Sequence, residues 1–85
     1  MRATVGDLVY ISYPKNDEYY KHSTHGILID IVEVLGGSYA YIVVHQDGRV
    51  VRCDEEDSTI VSVNKCSKEE LLTHSNPQVR ALALL

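Results

Sequence analysis

Asp47-Gly48 stands between two runs rich in β-branched and aromatic residues, Ala40-Tyr41-Ile42-Val43-Val44-His45 and Arg49-Val50-Val51-Arg52-Cys53. An Asp-Gly pair so placed is the strongest short-range hairpin signal, because Gly accepts the positive φ of a type I′ turn. With Asp47 and Gly48 as the two central residues, Val44 faces Val51 and Ile42 faces Cys53 on one side of the hairpin. On the other side His45 faces Val50, Val43 faces Arg52 and Tyr41 faces Asp54. The first set makes the better core face, which puts Cys53 inside and His45 outside.

Three further strands flank this hairpin. Val5 to Tyr13 is strand-like, with Val9 and Ile11 inward, and Pro14-Lys15-Asn16-Asp17-Glu18 breaks it as Pro, Asn and Asp do in turns. A polar, tyrosine-bearing loop runs to about Thr24. Ile27 to Leu35 is a second strand, and no single alternation puts both Asp30 and Glu33 outside, so a bulge or sharp bend is expected there. Gly36-Gly37-Ser38 turns the chain into the hairpin. Asp54-Glu55-Glu56-Asp57 makes a tight polar turn, and Ser58 to Val63 is the fifth strand.

Eighty-five residues make one small core, and no apolar run approaches the ~18 residues of a membrane span. Nothing at the start reads as a signal peptide. Cys53 and Cys66 do not make a secreted disulfide framework, so a cytoplasmic, reduced setting is expected, the host cytoplasm if the protein is viral. Residues 1–63 hold five cations against ten carboxylates, and the remainder holds Lys65, Lys68 and Arg80 against Glu69 and Glu70. Sequence-independent nucleic-acid affinity comes from neutralising phosphates, so a body with a net charge of −5 disfavours nucleic acid.

Five short strands, a long first loop, a hairpin between the third and fourth and a turn before the fifth resemble an SH3-like barrel, a closure that hides sheet edges. Gly6-Asp7-Leu8-Val9 with Ile11, and Gly26 before an apolar strand, look like the opening of KOW and Tudor-type domains. Asp47-Gly48-Arg49-Val50-Val51-Arg52 with Glu55-Glu56-Asp57 is similar to the second half of small bacteriophage barrel proteins. The resemblance covers residues 5 to 63. It departs from its models in charge, since RNA-binding KOW domains are basic, and in having no Trp of the kind on which SH3 domains bind proline helices.

Past Val63 the pattern becomes helical, which divides the chain into a barrel over residues 1–64 and a tail over 65–85. Ser67-Lys68-Glu69-Glu70 fits a capping box, and Asn76-Pro77 reads as a new helix start with Pro first. The segment from Leu71 to Ala83 is similar to the turn of a HEAT-type repeat. One such unit cannot bury its own apolar face. Its apolar residues therefore need a surface, either the chain's own barrel or a partner, and Val79, Leu82, Leu84 and Leu85 are the candidates for docking or self-association.

Metal chemistry is not expected. The only close pair among His22, His25, His45, His74, Cys53 and Cys66 is His22 with His25, and zinc sites show paired ligands at short spacing. A reactive thiolate needs an electropositive setting, and Cys53 precedes an acidic run. Neither a cofactor nor enzyme activity is expected. All six aromatic residues are Tyr, and four of them, Tyr10, Tyr13, Tyr19 and Tyr20, fall in or beside the first loop. Tyr joins large contact area to a polar tip, which favours it at interfaces. With Asp17 and Glu18, these rings form a surface for an Arg or Lys side chain or a basic peptide. The plainer reading, in which they only flank the barrel and pin the loop, stands beside it.

The sequence thus reads as a non-enzymatic protein-binding module whose contact residues are Tyr13, Asp17, Glu18, Tyr19 and Tyr20. The phage resemblance implies an accessory role, binding and modulating a host protein or serving as a minor structural part. Two alternatives remain. One is a KOW-like domain touching RNA or the transcription or translation machinery through Lys15, Lys21, Arg49 and Arg52, and the other a small regulatory subunit of a larger enzyme.

Overall fold

The computed structural model describes residues 3–12, 24–46, 48–56 and 58–84. Five strands form one antiparallel sheet: β1 (Asp7–Ser12), β2 (Thr24–Glu33), β3 (Tyr39–His45), β4 (Val50–Asp54) and β5 (Thr59–Lys65). Two short helices follow, α1 (Lys68–Leu72) and α2 (Pro77–Leu82). The strand order is β4-β3-β2-β1-β5, so β1 pairs with β2 on one side and with β5 on the other.

The sheet curls around one apolar cluster of Ala3, Val9, Ile11, Leu28, Tyr41, Val43 and Cys53, joined by Val51 from one edge and Ile60 from the other. Tyr41 on β3 and Ile60 on β5 line the same cleft, although three strand spacings would hold them roughly 14 Å apart in a flat sheet. The curl stops short of closure. β4 and β5 are edge strands that do not pair with each other, so the sheet is open where a closed barrel was expected. β4 is five residues long and ends in a turn held by Glu55 N–H to Tyr39 O (3.0 Å) and Ser58 N–H to Asp54 O (3.1 Å).

The hairpin forms, but one residue out of the expected register. His45 N–H donates to Arg49 O (2.8 Å) and Gly48 N–H to His45 O (2.9 Å), with Gly48 at φ +91°. The connection is therefore three residues long, a turn closed by a left-handed Gly, rather than a two-residue type I′ turn. Val44 pairs with Val50, Val43 with Val51, Ile42 with Arg52 and Tyr41 with Cys53. Cys53 is buried as expected, but on the face of Tyr41 and Val43 rather than of Ile42 and Val44.

His45, expected outside, is 5 % exposed. The physical reason is that β3 is covered on both faces. One face lies on the curled interior, and the other carries Val44 into a second cluster with Cys66, Leu71, Val79 and Ala83, against which Leu8, Ile27, Ile29 and Leu82 pack. A strand buried on both sides reads as a near-continuous apolar run, as Ala40 to Val44 does.

β2 bends where its pattern predicts. The register with β3 shifts between Leu28 and Asp30, which leaves Asp30 and Glu33 both exposed. The helices cap as expected. Ser67 Oγ accepts from Glu70 N–H while Glu70 Oε1 accepts from Ser67 N–H, each at 3.2 Å. Asn76 Oδ1 accepts from Gln78 N–H at 2.8 Å, with Pro77 first in α2. Arg80 Nη1 donates to the carbonyls of His74 and Ser75, each at 2.8 Å, and so fixes the turn between the helices.

Candidate functional site

Alternation along β1 sends Val9 and Ile11 into the core and Tyr10 the other way, where it is 37 % exposed. Tyr10 stands opposite His25 on β2 and opposite Val61 on β5. Cross-strand partners share a face of the sheet, so Val61, Tyr10 and His25 form one row across three strands. The Tyr10 and His25 rings are 5.0 Å apart between centroids and inclined at 56°. This tilted contact contributes about 0.5–1.5 kcal/mol. The row carries an apolar side chain, a phenol and an imidazole, and no carboxylate or ammonium group.

The row lies where β1 ends at Ser12 and β2 begins at Thr24. The connection between those two residues carries Tyr13, Asp17, Glu18, Tyr19 and Tyr20, all of which lie outside the described residues. The outward pairing of Tyr10 with His25 and Val61 is the part of this surface that the sequence reading did not assemble. The usable signal was the alternation that sent Val9 and Ile11 inward, since it also sends Tyr10 out.

The tail candidates separate. Val79 is fully buried in the chain's own second cluster and Leu82 is half-buried against it, so of the two surfaces open to the tail these residues take the chain's own sheet. Leu84 is 79 % exposed, and Leu85 lies outside the described residues. Of the basic residues named for RNA, Arg49 is exposed and Arg52 donates from Nε to Asp54 Oδ1 at 3.1 Å, while Lys15 and Lys21 lie outside the described residues. Among the described residues no group of three or more His, Cys, Asp or Glu side chains is placed to hold a metal ion. His22 lies outside them.

One buried carboxylate does have a built environment. Asp7 is 5 % exposed and accepts from Thr4 N–H (3.0 Å), Thr4 Oγ1 (3.2 Å) and Ser62 Oγ (2.9 Å). Burial pushes its pKa up, but the hydrogen bonds from Thr4 and Ser62 and the charge of Lys65 outweigh it and hold the group below the ordinary carboxylate value. A carboxylate so satisfied is a clasp between the turn before β1 and strand β5, not an acid or base. Nearby, Cys66 donates its N–H to Gly6 O at 3.3 Å. Burial, with the charges of Glu70 and Asp7, pushes the Cys66 thiol up and keeps it protonated.

A pKa lowered on folding adds stability that is present above the unfolded value of about 3.9 and is lost as pH falls through the folded value. Asp7→Asn should therefore cost about 2 kcal/mol near neutrality, with the gap to wild type closing as the pH falls below the unfolded value and through the lowered folded one. Urea unfolding of both chains across that range checks this. A gap undiminished at low pH would mean that the Asp7 charge is not what stabilises the clasp.

The chain was compared with protein-family models, curated proteins and solved structures. None matches. Among the described residues no helix is long and apolar enough to cross a membrane.

Proposed function

We propose that this chain is a small non-enzymatic protein-binding module that engages its partner on the Val61–Tyr10–His25 row together with the tyrosine-bearing connection beside it. The observation that carries the reading is the outward Tyr10, in tilted ring contact with His25 at the root of the segment that holds Tyr13, Asp17, Glu18, Tyr19 and Tyr20. A rigid aromatic side chain with an exposed polar tip supplies contact area at little entropic cost, and an Arg or Lys side chain of a partner gains from lying on such a ring. The acidic body favours a basic segment on the partner's side.

The element order supports the SH3-like part of the reading, with its long first connection, its hairpin between β3 and β4 and its short turn before β5. The accessory role rests on the likeness to small phage barrels.

The test is capture from cells that naturally contain the protein, with the immobilised chain and its variants side by side. Tyr10→Ala, and Tyr19→Ala combined with Tyr20→Ala, should each lose the protein that wild type retains, the first while lowering the melting temperature by no more than about 12 °C and the second while leaving it nearly unchanged. Retention by both variants, or loss of binding only in step with loss of stability, rejects the site.

A further inference from the structure

The two edges of the sheet differ. β4 is short, and its exposed side chains include Arg52, ion-paired to Asp54 at 3.1 Å. Charges and brevity are the usual guards of an edge strand. β5 has seven residues, of which Thr59-Ile60-Val61-Ser62-Val63-Asn64 carry no charge and no Pro, and Val61 and Val63 are 52 % and 51 % exposed. Among the described residues its outer side pairs with no strand. Such an edge is a template for another strand.

We infer that β5 is a self-association edge, on which a second copy of this chain docks β5 antiparallel to β5 about a two-fold axis. Three observations select a second copy over an unrelated strand. A two-fold contact must be complementary to itself, and an axis through Val61, in the part of β5 that pairs regularly with β1, sets the two Val61 side chains opposite each other with no like charges facing. The ends of β5 also carry opposite signs, Lys65 at one and the exposed Glu55 and Glu56 just before the other. Antiparallel docking brings each Lys65 toward the acidic turn of the second copy, which offsets the repulsion between two chains of net charge −4. Pairing β5 with β4 of another copy would instead build open-ended sheets, and the charged side chains of β4 oppose it.

The contact also lengthens the proposed partner surface, since the Val61–Tyr10–His25 rows of two copies meet at the axis. The dimer is weak. The register of β5 against β1 skips Val63, a bulge that limits the straight part of the edge to Thr59 through Ser62. One paired edge falls well below the ~1,200 Å² of a stable complex, so the dimer forms only at high concentration.

Sedimentation equilibrium between about 10 µM and 1 mM reads this directly. Wild type should rise from its monomer mass of 9.5 kDa toward twice that value. Val61→Lys with Val63→Lys should remain monomeric throughout at an unchanged melting temperature, whereas Leu84→Ser on the tail should dimerise as wild type does. Lys65→Glu should weaken the dimer about tenfold, and adding Glu55→Lys to it should restore most of the loss. A wild type that stays monomeric at 1 mM, or a Val61→Lys, Val63→Lys chain that dimerises like wild type, overturns the inference. So does a dimer lost only with Leu84→Ser. Dimerisation is read here without the partner, so its failure leaves the proposed partner site standing.

Discussion

Gly26→Ala is expected to cost about 3 kcal/mol and to lower the melting temperature by roughly 12–24 °C. Gly26 sits in the middle of the sheet, between Val9 on β1 and His45 on β3. A Cβ at this position would stand 2.5 Å from Val43 Cγ1 and 2.7 Å from the backbone oxygen of Val44. Val43 is fully buried, so its methyl group has little room to retreat, and a backbone oxygen inside a paired strand moves only if the ladder moves. The substitution therefore forces β2 and β3 apart where both are core strands. Thermal unfolding followed by far-UV circular dichroism measures the effect. A drop of less than about 4 °C would mean that the strands approach less closely here than the structure places them.

Truncation after Asn76 is the second large effect, and it is expected to leave a chain that no longer folds cooperatively. Val79 is fully buried against the sheet, Ala83 is buried beside it and Leu82 is half-buried. Their burial contributes about 4–5 kcal/mol, against a total stability of roughly 4–13 kcal/mol for a domain of this length. Removing them also opens Val44 and Leu71 to water. Val79→Asp should do the same within the full-length chain by forcing a carboxylate into an apolar cluster, while Leu84→Asp, on an exposed residue nearby, should cost no more than about 0.5 kcal/mol. Urea titration and near-UV circular dichroism distinguish these cases. A truncated chain that unfolds cooperatively at nearly the wild-type midpoint would return the tail to the role of an appendage.

Strand positions were legible because Asp-Gly, Gly-Gly and Pro-Lys-Asn-Asp interrupt runs of β-branched residues, and the bend in β2 because Asp30 and Glu33 break one alternation. The capping box at Ser67 and the helix start at Asn76-Pro77 were legible for the same local reason. The hairpin register was not. Gln46 joins Asp47 and Gly48 in a three-residue connection, and the Asp-Gly signal alone does not separate it from a two-residue turn.

Reading one face of the hairpin as the core also hid the second core, which the tail supplies from 12 to 29 residues downstream of the hairpin. That is why His45 was expected outside, and why the choice between the chain's own barrel and a partner as the surface for Val79 stayed open. The openness of the sheet was equally out of reach, since edge pairing between β4 and β5 is a property of curvature rather than of either strand. Of the candidate site, the tyrosines were legible by composition. The row that joins Tyr10 to Val61 required the pairing of β1 with β5.

That pairing also orders events in time. Ser62 reaches Asp7 across 55 positions of sequence, and Lys65 pairs with Asp7 itself. The β2–β3–β4 meander needs only short-range closures and can assemble as the chain is made. β1, by contrast, has just one of its two neighbours until β5 is complete, and its second edge stays unpaired through most of synthesis. Non-local closure is slow, because the loop entropy is lost before any contact repays it. The seam between β1 and β5 is thus expected to close after the meander, since Ser62 can meet Asp7 only once β5 has been made.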